Sequence, residues 1–315
     1  MMTGSASPGS WTEGIIRILR CRLLMSRLGA VLVAAIPLSS CAWFSPDSGM
    51  NAVSGMTAET LHKDVIAIRS EEDAAVARSR VDQLLRRPLT AETAVQVALL
   101  NNAGLQAAYN ELSLAEADMV EASLPPSPTF SISRIAGSNA FEYETQVIVD
   151  ILALATLPAR SVIAATRFHQ AQLRAVQETL RLAAEVRQAY YQAVAWRELT
   201  DLLTEWKTTA DAAAQVAVKL GETGSLNKLD QARELGFYTE TTVDLATVRQ
   251  EASSARERLV GLLGLWGRDL DFKLPNRLPP LPVRPQTMPG VEVDAVARRV
   301  DLQIGRIELD WLAKS

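Results

Sequence analysis

The chain is poor in the side chains that usually carry chemistry. Two histidines and two cysteines in 315 residues leave little material for a metal centre or a disulfide framework. His62 and His169 stand isolated, which fits solvated helix positions rather than a ligand set. There is no Gly-rich phosphate loop, no HExxH helix and no nucleophile elbow. Glu178 and Glu185 fall at helical spacing with Arg174, Arg181 and Arg187, so ion pairing accounts for them without acid–base chemistry. An enzyme reading has no residues to rest on: no catalytic group, metal ligand or bound cofactor is expected. Basic charge is not in surplus either, and a formal net charge of −4 gives no footprint for nucleic acid. Aromatics are only 5% while alanine is plentiful, a balance that favours closely packed helices over a β-sandwich.

Proline and glycine are missing from the whole stretch between Pro158 and Gly221. The spacing predicts a helix over 158–220, about 95 Å long at 1.5 Å per residue, with Pro158 in its first turn. Leu173, Val176, Leu180 and Ala183, then Leu199, Leu202 and Trp206, recur at intervals of three and four. Gly221-Glu222-Thr223-Gly224-Ser225 breaks this helix. Ser225 or Asn227 can cap a return helix over 226–265, which Gly264, Gly267 and Pro275 end. A helix of this length cannot pack on itself, so it must lie along other long helices in a tube wall or coiled coil.

Upstream, residues 42–56 are rich in Ser, Gly and Pro and read as a tether. Thr57–Arg87 is charged and moderately helical, with Glu71-Glu72-Asp73 a solvated face. Thr90 is placed to cap a helix with Glu92 in its first turn, and Ala94, Val97, Ala98, Leu105, Ala108, Leu112 and Ala115 keep helical spacing. Leu124-Pro125-Pro126-Ser127-Pro128 stops it. The period then changes to two. Phe130 and Ile132 alternate with Thr129, Ser131 and Ser133. Tyr143, Thr145, Val147, Val149 and Ile151 alternate with Glu142, Glu144, Gln146 and Asp150. A membrane barrel strand requires that pattern, with an apolar lipid face and a lumen that tolerates carboxylates; a small soluble hairpin would show it too.

The N-terminus reads as an address. A positive region ending in Arg27 precedes the apolar run Leu28–Pro37, too short to span a bilayer stably. Leu38-Ser39-Ser40-Cys41 resembles a bacterial lipobox, in which the cysteine is lipidated and becomes the first mature residue. Residues 1–40 are thus a lipoprotein signal peptide, with the start at Met1 or Met25, and a covalent lipid on Cys41 is the one attached group expected. Ala42 in place of Asp favours sorting to the outer membrane.

Leu105-Gln106-Ala107-Ala108-Tyr109-Asn110-Glu111-Leu112 returns as Leu302-Gln303-Ile304-Gly305-Arg306-Ile307-Glu308-Leu309. Leu, Gln, Glu and Leu recur in register at an offset of about 200 residues, the mark of a large internal repeat. The parts are a lipidated tether and helical segment (41–88), a first repeat (89–275) holding a strand pair (129–152), a Pro-rich connector (276–289) and the start of a second repeat (290–315).

The order of these parts resembles the TolC family of outer-membrane efflux proteins, in its lipoprotein branch and truncated early in the second repeat. Leu89–Asn102 resembles the family's repeat opening, an acidic helix start leading to a paired-Asn break. Ala115–Asp118 through Leu124–Phe130 resembles its helix-to-strand junction, Gly221–Ala232 its periplasmic hairpin turn, Leu262-Leu263-Gly264 the end of its return helix, and Arg298–Gln303 its second opening. Val300 stands where the family usually carries Pro.

The resemblance implies a mainly α fold with a small β part. A long α-helical hairpin contributes to an α-barrel wall, and two strands contribute to a membrane β-barrel. It implies a homotrimer in outer-membrane lipid whose helical part lies in the periplasm. A periplasmic adaptor (membrane fusion) protein and an inner-membrane pump would be its partners, with small toxic compounds or metal ions leaving by passive conduction. Carried over by residue, the adaptor-docking turn is Gly221, Glu222, Thr223, Gly224, Ser225 and Leu226, polar where drug-efflux members are often hydrophobic. Glu142, Glu144 and Asp150 would face the pore, and Tyr143, Val147 and Val149 the lipid. Two other readings stay open at this point. One is a truncated, non-conducting relative, because two strands per protomer give a trimer half the usual wall and lipid does not tolerate open edges. The other is an adaptor-like periplasmic lipoprotein with a helical hairpin.

Overall fold

The computed structural model describes residues 44–136, 141–281, 283 and 289–314, with the backbone alone at 136, 141, 142 and 314. The signal peptide and Cys41 lie outside the described residues.

The first helix, α1 (Met50–Leu61), begins inside the stretch read as a tether. Met50, Val53, Thr57 and Leu61 are buried, an i, i+3, i+7, i+11 stripe that the surrounding Ser and Gly hide in composition. Gly49 precedes it at φ +77°, and a Cβ there would stand 2.6 Å from the Phe168 ring, so glycine is required by both conformation and contact. An extended strap, residues 62–70, follows. Two glutamines hold it as a neighbouring strand would. Gln96 accepts from the Asp64 N–H at 3.2 Å and donates to its carbonyl at 2.9 Å. Gln106 accepts from Ile68 N–H at 2.9 Å and donates to the Ile66 carbonyl at 3.0 Å.

Helix α2 (Glu71–Leu85) starts with a capping box in which Ser70 and Asp73 bond reciprocally. Helix α3 (Ala91–Asn101) starts the same way from Thr90 and Thr93. Its Ala94, Val95, Val97, Ala98, Leu99 and Leu100 are all buried, so α3 is apolar around most of its circumference and forms the centre of the core. Asn102 breaks the helix and caps α4 (Ala103–Ser123), accepting from Leu105 N–H at 2.9 Å. The prolines after Ser123 then force extended backbone into β1 (Thr129–Ala136), which pairs antiparallel with β2 (Phe141–Ile148).

The long helix α5 spans Ile151–Glu222, 72 residues, or about 108 Å. It starts a full two turns before the sequence reading. Asp150 is its N-cap, accepting from Ala153 N–H at 2.9 Å, and Pro158 lies in the helix interior. The missing proline N–H leaves only the Leu154 carbonyl without its helical donor. That local loss does not outweigh a cap and a flanking helix on either side. The return helix α6 (Lys228–Leu263) is capped by Asn227, accepting from Asp230 N–H at 2.9 Å, and ends at Gly264 with φ +67°.

Helices α5 and α6 meet along a seam of three- and four-residue steps, the spacing that keeps antiparallel helices in contact. Leu203, Ala210, Ala214 and Ala217 are buried on α5, and Thr241, Leu245, Val248, Leu259 and Leu263 on α6. Leu202 and Trp206 were assigned to the packed face by periodicity but are 42% and 54% exposed; the seam runs one residue away, through Leu203. The main core joins α1, Val81 of α2, α3, α4, residues 175–194 of α5 and the end of α6. Tyr109 on α4 meets Thr179 on α5 at 2.9 Å between hydroxyls, and its burial pushes the phenol well above its usual range.

A short 3₁₀ turn, Gly267–Asp271, returns the chain to the core. There Leu89 N–H donates to the Lys273 carbonyl at 2.8 Å and Arg256 stacks over Phe272 at 4.3 Å. Finally α7 (Val291–Arg298) and α8 (Val300–Lys314) repeat the helix–break–helix arrangement of α3 and α4, and α8 packs on α5.

Candidate functional site

The predicted site residues fall at the two ends of α5, so the strand pair and the hairpin turn are separated by its full length. They form two features and no common pocket.

At the strand end the register decides what each face carries. Phe130 pairs with Val147, Ile132 with Thr145 and Arg134 with Tyr143. On the opposite face Ser131 pairs with Gln146 and Ser133 with Glu144, flanked by Thr129–Ile148. Directly opposed residues of an antiparallel pair point to the same side. One face is therefore mostly apolar and the other mostly polar, and Glu144 sits among the polar group. Phe130, Ile132, Tyr143 and Val147 are all exposed, at 61%, 63%, 68% and 60%. Glu142 pairs in register with Ile135. Val149 and Asp150 lie past the end of β2, and Asp150 spends its carboxylate on the α5 cap, which removes it from the strand face.

At the far end Gly221 and Glu222 are the last residues of α5, and the turn proper runs through Thr223 to Asn227. The turn satisfies its own polar groups. Ser225 and Leu226 donate to the Leu220 carbonyl at 2.9 and 3.1 Å, and Gly224 N–H donates to that of Gly221 at 3.2 Å. The Thr223 hydroxyl reaches the Leu220 carbonyl and the Ser225 hydroxyl, each at 3.0 Å. Gly224 adopts φ +75°. Glu222, Thr223, Gly224 and Ser225 are exposed, and so is Leu229, the second residue of α6. A turn held this way presents a fixed polar tip with an apolar residue beside it. Among the described residues no group of three or more His, Cys, Asp or Glu could hold a metal ion.

Sequence reasoning missed what the paired asparagines do. Asn101 donates from Nδ2 to the carbonyls of Leu263 and Gly264 at 3.1 and 2.7 Å, and Asn102 to that of Leu262 at 2.9 Å. Together they cap the end of α6 from another helix, supplying donors for carbonyls that a helix terminus leaves unmet. A long-range bond of this kind has no local signature beyond the asparagines themselves.

With this geometry in place, the comparisons are informative at the level of fold. No family model matches the sequence, and no curated protein matches it. The structure is similar to a membrane protein from Pseudomonas aeruginosa, with a TM-score of 0.53 and 16% identity over 74% of this chain and 55% of that one. It is similar also to CusC, described for conformational changes accompanying folding and transmembrane channel formation, with a TM-score of 0.55 and 19% identity over 75% of this chain and 55% of CusC. The fold is CusC-like. The mainly helical, TolC-like architecture, with its long hairpin and two strands, is thus the one present. This chain spans only a little over half the length of either relative.

Proposed function

We propose that the chain is part of an outer-membrane channel of a tripartite efflux system, conducting small toxic compounds or metal ions from periplasm to exterior without chemical change. The observation that carries this reading is the two-faced strand pair set at one end of a CusC-like helical hairpin. In a barrel wall Phe130, Ile132, Tyr143 and Val147 would meet lipid, and Ser133, Glu144 and Gln146 the water-filled lumen. Glu142, paired in register with Ile135, is proposed for the same lumen face. The channel would be a homotrimer with helices α5 and α6 in its tunnel wall, anchored by a lipid on Cys41. The turn from Gly221 to Leu226 would dock on a periplasmic adaptor linked to an inner-membrane pump.

The test is thiol labelling from single cysteines at Val147 and Glu144 in membranes of cells expressing the protein. Val147→Cys is expected to react with a lipid-phase reagent and Glu144→Cys with a water-phase one. Equal behaviour at both positions would refute the strand assignment, and with it the channel.

A further inference from the structure

We propose that the first five turns of α5 form a lipid-headgroup contact, in which Arg160 and Arg167 engage the phosphates of a bilayer surface. The inference rests on the membrane reading of β1 and β2 and extends it to a helical segment.

Charge along α5 is sharply uneven. From Ile151 to Gln177 the helix carries Arg160, Arg167 and Arg174 but no carboxylate, although the chain as a whole is acidic at −4. These arginines and Arg181 recur every seven residues, which lays them along one side of the helix about 10.5 Å apart. Their surroundings change down the line. Arg181 is neutralised by Glu178 and Glu185 at 2.6 and 3.0 Å. Arg174 shares an open cleft with Glu111, Asp118 and Glu178. Arg167 stacks over the Trp311 ring at 5.2 Å. Arg160 is exposed and stands nearest the strands. Helix α8 brings one carboxylate, Asp310, to the cleft of about 250 Å³ lined by Ala159, Val162 and Trp311. On their own helix Arg160 and Arg167 meet no carboxylate before Glu178.

The same segment is apolar and uncovered. Ile151, Leu152 and Val162 are 76%, 74% and 61% exposed, with Ala164 the buried residue among the first five turns, and α5 contains a stretch long and apolar enough to cross a membrane. Ile151 follows the end of β2 by only three residues, so this segment begins beside the strand pair. Apolar side chains, an aromatic ring and arginines without acids on their own helix are the combination that a headgroup layer stabilises, the arginines by attraction to anionic phosphate. A second copy of the segment is a poorer occupant, since it would bring arginines against arginines.

The test places an environment-sensitive dye at Val162→Cys in the full chain. Cys21→Ser and Cys41→Ser ensure that the dye is unique and no acyl chain adds affinity. Vesicles of phosphatidylcholine, with and without phosphatidylglycerol, are titrated in. The dye is expected to shift to the blue with the anionic vesicles, and Arg160→Gln/Arg167→Gln should weaken that binding roughly thirtyfold, at about 1 kcal/mol for each arginine. Arg233→Gln, at the far tip and paired with Asp230, should change nothing. Circular dichroism verifies that the exposed substitutions leave helicity intact. No shift at Val162, or a shift indifferent to both lipid charge and the two arginines, overturns the proposal. A shift that appears without vesicles as protein concentration rises assigns the surface to another copy and overturns it as well. A parallel dye at Val147→Cys separates the two readings: if Val147 enters lipid while Val162 stays in water, the barrel strand stands and the headgroup contact falls.

Discussion

Asn101 and Gly264 form a close-fitting joint between α3 and the end of α6. A Cβ on Gly264 would approach the Asn101 carbonyl oxygen to 2.5 Å, and the residue already sits at φ +67°. Gly264→Ala therefore combines a left-handed backbone with a backbone clash, and it is expected to destabilise more than Asn101→Ala. The latter removes the donor to the Leu263 and Gly264 carbonyls and should cost about 1–3 kcal/mol. Chemical denaturation of both variants checks the order; a Gly264→Ala protein as stable as the parent would show that the joint can relax. Glu92 offers a pH-dependent case. Its hydrogen bond from Arg187, with a further contribution from Lys63, holds the carboxyl below its ordinary value of 4.5. A depressed carboxyl stabilises the fold above its unfolded value and loses that contribution as pH falls through the folded one. The Glu92 side chain is 53% exposed, so solvent limits the effect to under about 1 kcal/mol. Glu92→Gln should thus be slightly less stable than the parent at pH 6, and the gap should close by pH 3.

At the scale of elements, stability is unevenly spread along the α5–α6 hairpin. The middle of α5, residues 175–194, and the end of α6 are wrapped by α1, α3 and α4 in the main core. Further along, a small cluster of Leu203, Leu245 and Val248 with Trp196 and Leu199 is followed only by alanines on α5. Fewer buried atoms hold the distal turns, and local opening costs least where apolar contacts are fewest. Hydrogen exchange of the isolated chain should show amides of 176–194 protected by orders of magnitude more than those of 210–235. Uniform protection along α5 would contradict this. The same unevenness explains what the sequence made legible. The hairpin, its Asn227 cap, the Thr90 cap and the alternation of the strands were readable, because each is written in a local pattern of period, cap or breaker. The start of α5 was not, because Pro158 is a strong local signal that Asp150 and the helical context override. The face of Leu202 and Trp206 was misassigned for a related reason: near an apolar-rich seam, periodicity alone does not say which of two adjacent stripes meets a partner. The bonds of Gln96, Gln106 and the two asparagines join segments far apart in sequence and depend on the finished fold.

For the molecule as a whole, the decisive feature is how much apolar surface the described chain leaves uncovered along α5 and α6. Leu202, Trp206 and Val216 on α5 and Leu235, Phe237 and Val243 on α6 are each at least 42% exposed. The seam residues between the two helices are buried, whereas these side chains remain in solvent, because a two-helix layer can cover only one stripe of each helix. So many large apolar side chains exposed on one helix pair call for neighbouring protein, and in the proposed trimer they would be closed by the helices of adjacent protomers. Burial of an aromatic ring carries much of such an interface. Trp206→Gln and Phe237→Gln are therefore expected to weaken self-association by tenfold or more while leaving helicity unchanged, because neither side chain contributes to the core of its own chain. Sedimentation of the purified protein over a range of concentrations reads this directly. A parent protein that stays monomeric at every concentration would remove the argument for protomer packing along this face, whereas association that persists in both variants would move the interface to the other side of the layer.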